Sequence, residues 1–193
     1  MKPAVLRNAV VDDPLGVVVG YVEAWKLNEP APERPASFEE ADLRRANRGG
    51  ARISGAEIAA ILERRRAVER ELRAIPADAS LTGSVQWAEL RRLFDAFADI
   101  RGVGFAKMTK ALHPKRPALV PMLDSVVQGY LADDDVPGAA FGERAIALVR
   151  GYKRDLDRNV PAIRAVREEL ERQGHPLTEV RILDLLIWSV AAA

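Results

Sequence analysis

Residues 98–131, ADIRGVGFAKMTKALHPKRPALVPMLDSVVQGYL, decide how the chain is read. Upstream of them Trp87, Leu90, Leu93, Phe94 and Phe97 recur at helical spacing, so a helix is expected to run to about Ile100. Gly102 falls where a helix ends with positive φ, and Gly102 and Gly104 flank Val103 in a tight hairpin. Two residues without a Cβ leave the backbone N–H groups at the next helix start open, a setting that suits a phosphate. The second helix, from about Phe105 to Leu112, carries Lys107 and Lys110 and should stop near His113 because Pro114 follows. Pro117 and Pro121 then stiffen an extended connection, and Asp124 is placed to cap a third helix starting at Ser125.

Charge singles out the same stretch. From Arg101 to Leu123 the sequence contains Arg101, Lys107, Lys110, Lys115 and Arg116 and no acidic residue, within a chain of net charge +1. A local cationic excess beside a glycine hairpin is the footprint expected of a phosphate-facing surface, although solvated lysines alone give the same count.

Gly102-Val103-Gly104, the helix that follows, and Val120-Pro121-Met122-Leu123-Asp124 resemble the helix-hairpin-helix and aspartate signature of the HhH-GPD superfamily of base-excision DNA glycosylases. The resemblance covers residues 87–131. It implies an all-α, DNA-glycosylase-like multi-helix fold that holds duplex DNA through hairpin main-chain N–H groups. It further implies a possible monovalent cation at the hairpin, and an aspartate, here Asp124, that stabilises charge on the sugar or activates a nucleophile. The DNA-binding set so implied is Arg101, Gly102, Val103, Gly104, Ala106, Lys107, Lys110, Lys115 and Arg116. Ala106 occupies the position that carries the lysine nucleophile of bifunctional members, and Lys107 points about 100° further round the helix, which argues against a lysine-based lyase. The whole chain is also similar to an uncharacterised actinobacterial family, a domain of unknown function, through GVGFAKMTKAL, KRPALVPMLDSVV and RILDLLIW.

Three functions follow: backbone binding of DNA without catalysis, a monofunctional glycosylase in which Asp124 works with water, and a glycosylase-like fold used for protein contacts. A base pocket would draw on aromatics, and Trp25, Trp87, Phe105 and Tyr130 are the candidates.

The absence of cysteine excludes disulfides, thiolate zinc sites and a cysteine-ligated iron-sulfur cluster. With 48% apolar and 30% charged residues in a chain of 193, the composition is that of a globular protein able to bury a core. Neither the N-terminus nor the apolar tail 182–193 is long enough to span a membrane, so a cytoplasmic protein without membrane association is expected.

The remaining chain reads as one helical domain over 1–193, with eight to ten helices. Residues 1–36 form an N-terminal segment and proline-rich connector, 37–131 a helical core with the helix-hairpin-helix at 87–113, and 132–193 the C-terminal helices. Val17 to Trp25 fits a strand or a helix, and Asp13-Pro14 favours a helix start. Ser37 to Glu40 and Ser54 to Glu57 are capping boxes, the second opening a helix expected to continue to Ile75. Between them Asn47 to Arg52 is either a DNA-contacting wedge loop or, the favoured reading, a helix C-cap with two solvated arginines. Asp133 to Asp135 reads as a polar connector, Asn159 and Pro161 as a helix start, Gly174 as a stop and Thr178 as the cap of the last helix. Asp184 and Trp188 read as a salt-bridging aspartate near Arg181 and a core tryptophan, and His113 and His175 as helix-end residues.

Overall fold

In the computed structural model, which describes residues 2–29 and 34–191, helices dominate. Within the proline-rich connector expected over residues 28–36, Pro30 to Glu33 lie outside the described residues. The order is β1 (Ala4–Val5), β2 (Val10–Val11), α1 (Pro14–Trp25), α2 (Glu40–Arg48), α3 (Gly55–Glu63) and α4 (Arg65–Ala74). Then follow α5 (Trp87–Asp95), α6 (Phe105–Leu112), α7 (Ser125–Tyr130), α8 (Phe141–Arg172) and α9 (Glu179–Ala191). None of the described helices is long and apolar enough to cross a membrane.

The longest element, α8, sets the architecture. Its 32 residues extend about 48 Å at 1.5 Å per residue. Along it pack α5, α9 and α1; α4 covers the other side of α5, α7 leans on α9, and α2 lies against α6. Leu90, Leu93, Phe94 and Phe97 from the α5 region meet Leu148, Tyr152 and Leu156 of α8 in one buried cluster, which Leu183 and Ile187 of α9 continue.

Sequence predicts two helices where α8 is one. Asn159 and Pro161 lie inside it rather than opening a new helix. Proline removes one helical N–H, yet the flanking stripe Leu156, Ile163 and Val166 is wholly buried, and burial of both halves carries the helix on through the defect. Asn159 is spent elsewhere: its amide donates to Asp155 O (2.8 Å) and Val5 O (2.9 Å) and its Oδ1 accepts from Val5 N–H (2.7 Å). That side chain docks the edge of a small antiparallel hairpin, Ala4 opposite Val11 and Val5 opposite Val10, on the helix. Two-residue strands fall below what alternation can reveal.

Other boundaries shift for local reasons. The first expected capping box sits two residues later, with Glu39 N–H donating to Asp42 Oδ2 (2.8 Å), so α2 begins at Glu40. The second forms as expected, Ser54 N–H to Glu57 Oε2 (2.8 Å) and Glu57 N–H to Ser54 Oγ (3.3 Å). The helix it opens breaks at Arg64, where Arg64 N–H turns to Ile61 O, and resumes as α4. Asp13 caps α1 through Gly16 N–H (3.0 Å), and Thr178 Oγ1 caps α9 through Arg181 N–H (3.1 Å).

Candidate nucleic-acid interface

The turn between α5 and α6 is assembled from backbone geometry. α5 stops at Asp95, five positions short of the expected Ile100. Phe97 N–H and Ala98 N–H bond three residues back, to Phe94 O and Asp95 O, which tightens the last turn. Asp99 then takes a left-handed φ of 60°, and Gly102 takes φ 82°. Val103 N–H closes the hairpin on Ile100 O (3.0 Å), burying the valine, while Gly102 and Gly104 stay exposed. Gly104 is the N-cap of α6 and no side chain caps that helix, so the first-turn N–H groups of Phe105, Ala106 and Lys107 have no side-chain acceptor. Free donors at a helix start favour an anion.

The cations around this turn are distributed differently from the sequence expectation. Lys107 Nζ donates to both oxygens of Glu57 (2.7 and 2.8 Å). A Cβ added to Gly102 would lie 2.2 Å from Glu57 Oε1, so that carboxylate rests directly on the hairpin. The Lys107 hydrogen bond, followed by Ser54 N–H, holds Glu57 below the usual carboxylate range. Lys115, 5% exposed, is paired with Asp42 at 2.8 Å. Arg116 is 2% exposed and donates to four carbonyls: Pro35 O, Lys115 O, Leu72 O and Ile75 O. Lys115 and Arg116 therefore do not face a phosphate; they belong to the core, where Lys115 pairs with the first turn of α2 and Arg116 ties down the end of α4.

In their place the structure brings the loop after α2 to the hairpin helix. Lys110 Nζ donates to Gly49 O (3.2 Å), with Gly50 O at 3.5 Å. Asn47 pins the loop by donating to Ile53 O (2.8 Å) and accepting from Ile53 N–H (2.6 Å), Gly49 caps α2, and Gly50 and Arg52 take positive φ. The C-cap expected there is present. Arg45, Arg48, Arg52 and Arg101 are exposed. Among the described residues no carboxylate pairs with any of them, nor with Lys110. Arg48 and Arg52 belong to the loop that the sequence offers as a DNA-contacting wedge and favours as a C-cap with two solvated arginines; Arg45, inside α2, has no such signal.

Asp124 sits at the N-terminus of α7, where Oδ1 accepts from Val126 N–H and Val127 N–H (both 3.1 Å). Its other oxygen accepts from Trp188 Nε1 (3.2 Å), which places the last helix's tryptophan beside it. Trp188 meets Trp25 edge-on at 5.9 Å, and Trp25, 49% exposed, is 4.7 Å from Tyr21. The four aromatics considered for a base pocket do not stack on one another. Trp87 lies under Arg150, Phe105 against Phe141, Tyr130 under Arg7 and Trp25 against Trp188.

A model of a family of unknown function, DUF6308, matches residues 12–191. The chain belongs to this family. No curated protein and no solved structure matches it. The DUF6308 match takes in every helix from α1 to α9, hence the hairpin, the loop after α2 and Asp124 together; the small β-hairpin precedes it. Among the described residues no group of three or more acidic, histidine or cysteine side chains could hold a metal ion.

Proposed function

We propose that this DUF6308 protein binds the phosphate backbone of duplex DNA across the glycine hairpin and the adjoining loop 48–52. The observation that carries the reading is the start of α6: a Gly-Val-Gly turn delivers a helix N-terminus that no side chain caps. Arg101 lies in that turn, and Lys110 in the last turn of α6 holds the loop after α2, whose neighbourhood carries Arg45, Arg48 and Arg52; among the described residues these five cations are free of carboxylate partners. Phosphate contacts of this kind fix position without reading sequence, so binding should be weakly sequence-dependent and strongly salt-dependent. The test is fluorescence anisotropy of a labelled duplex over a salt series. Arg52→Gln combined with Arg101→Gln should weaken binding and flatten the salt slope by about 2. A protein that does not bind the duplex at low salt overturns the proposal.

A second reading adds base excision by Asp124, in keeping with the HhH-GPD resemblance, and what favours it is Trp188, bonded to that carboxylate and followed by Trp25 and Tyr21 in a run of aromatic contacts. Single-turnover incubation with duplexes carrying uracil, oxidised guanine, alkylated purines or mismatches separates the two. Base release lost in Asp124→Asn while binding survives supports excision, and binding without release leaves the backbone binder.

A further inference from the structure

Beside the proposed interface lies a cavity of about 430 Å³ that the sequence reading did not anticipate. It opens between the end of α1, the end of α2, the end of α6 and the start of α9. Leu27, Pro114, Pro117 and Met122 give it apolar walls, and Arg45, Lys110 and Arg181 bring three positive charges to it. The volume is that of a small-molecule site.

Its acidic side chain is already committed. Glu29 Oε1 meets His113 Nε2 at 2.6 Å, and Glu29 Oε2 accepts from Thr178 N–H (2.9 Å) and Thr178 Oγ1 (3.0 Å). His113 Nδ1 faces Val120 O at 2.6 Å. Both ring nitrogens thus face acceptors, which suits an imidazolium. Burial disfavours that charge most, but Glu29, with help from Asp184 and the Val120 carbonyl, raises the His113 pKa above its ordinary value. Glu29 and His113 therefore cancel one another, and neither has an atom left over for acid-base work.

Arg181 is the uncommitted group. A guanidinium carries five N–H donors, and the side chain is only 14% exposed. Yet its contacts among the described residues are a thioether, Met122 Sδ at 3.4 Å, and Asp184 Oδ2 at 3.9 Å, too long for a hydrogen bond. Behind it Asp184 is wholly buried, with Oδ1 unpartnered. Burial pushes the Asp184 carboxyl up to about 7, so it neutralises Arg181 incompletely at neutral pH. A largely covered fork whose unused donors open on the cavity, with two further cations lining it, suits an oxyanion of high charge.

We infer that this cavity is a binding site for a small phosphomonoester with an apolar or aromatic body, its phosphate held by Arg181, Lys110 and Arg45 and its body between Leu27, Pro114, Pro117 and Met122. A phosphomonoester brings close to two negative charges at neutral pH, matching the three cations better than a carboxylate does. The inference does not rest on the DNA reading, although Arg45 and Lys110 border both sites. Arg181 and Met122 belong to the cavity alone and Arg101 to the hairpin alone.

The test is titration calorimetry of the full chain with phenyl phosphate, thymidine 5′-monophosphate, inorganic phosphate and benzoate. Phenyl phosphate should bind at least about tenfold more tightly than inorganic phosphate or benzoate, because only it offers both the charge and the body. Arg181→Gln should weaken phenyl phosphate by about tenfold or more, and Arg101→Gln should leave it unchanged. Should Arg181→Gln fail to fold, Lys110→Gln on the rim serves as the second variant, expected to weaken binding while circular dichroism stays native. Absence of heat with both phosphomonoesters at millimolar concentration, equal affinity for benzoate, or undiminished affinity in the variants would overturn the inference. Loss of duplex binding in Arg101→Gln with the phenyl phosphate isotherm intact, or the reverse, tells the two proposals apart.

Discussion

Arg116 carries a charge into the interior and converts it into helix termination. Leu72 O and Ile75 O, at 2.5 and 2.7 Å from its Nη2, are carbonyls from the end of α4; Leu72 O otherwise accepts only a long bond from the C-cap Ile75 N–H (3.4 Å). Nη1 adds Pro35 O (2.8 Å) and Lys115 O (2.7 Å), so one side chain ties the start of the helical core to its middle. Burial lowers its pKa, yet a guanidinium remains charged at any accessible pH. Arg116→Met should fill the space, strand Pro35 O, Lys115 O and Ile75 O and leave Leu72 O only its long bond from Ile75 N–H, costing about 3 kcal/mol or more in urea unfolding. A loss under about 1 kcal/mol would show that water replaces the guanidinium there. Asp124 makes a lighter contribution at the same scale. Asp124→Asn keeps one capping oxygen for Val126 N–H and Val127 N–H but turns an amide against Trp188 Nε1–H, a donor facing a donor. The expected loss is about 1 kcal/mol, and equilibrium unfolding that is unchanged would remove the Trp188 bond from the account.

At the scale of elements, the hairpin is held by an acid that a phosphate would meet. Glu57 belongs to the cap of α3, lies against Gly102 and takes both its oxygens to Lys107. Glu57→Gln retains an acceptor for Ser54 N–H, removes a negative charge from the hairpin and frees Lys107. On the DNA-binding reading, affinity for a duplex should rise severalfold and the salt slope steepen by about 0.9, one added phosphate contact. Weaker binding in the variant would mean that Glu57 orders the hairpin more than it repels the ligand. The same elements show what a sequence carries. The glycine turn, the second capping box, the stop before Pro114 and the Asp124 cap are set by residues within four positions of one another, and all were legible. The small β-hairpin's docking on α8 through Asn159 and which cations stay free are settled by partners 41 to 154 positions away, such as Ile75 for Arg116, Glu57 for Lys107 and Val5 for Asn159. Local pattern does not contain them. The cationic count over 101–123 was right as arithmetic and misplaced as a surface, because Lys115 and Arg116 fold inward while Arg45, Arg48 and Arg52 stay outside.

For the molecule as a whole, the buried charges set a dependence of stability on pH that runs in two directions. Glu29 resists ionisation through burial, but His113, Thr178 N–H and Arg181 together hold it below its ordinary 4.5. Its contribution is present above pH 4.5 and is lost as pH falls through the lowered value, as are those of Glu57, Glu69 and Asp135. Asp184 works oppositely. Burial raises it from 3.8 to about 7 against the pull of Arg181, His113 and Tyr152, so the folded state prefers its proton. That contribution is complete below pH 3.8 and is lost as pH climbs to about 7. His113, raised above 6.5, adds a further loss as pH rises through its folded value. Thermal unfolding followed by circular dichroism should therefore give a maximum Tm in the mildly acidic range, falling on both sides. Asp184→Asn should abolish the decline between about pH 4 and 7 while leaving the acid limb and the later His113 loss in place. A wild-type Tm that rises steadily from pH 4 to 8, or an Asp184→Asn profile parallel to it, would mean that this carboxyl is ionised and paired in the fold, and that Arg181 is already neutralised without a ligand.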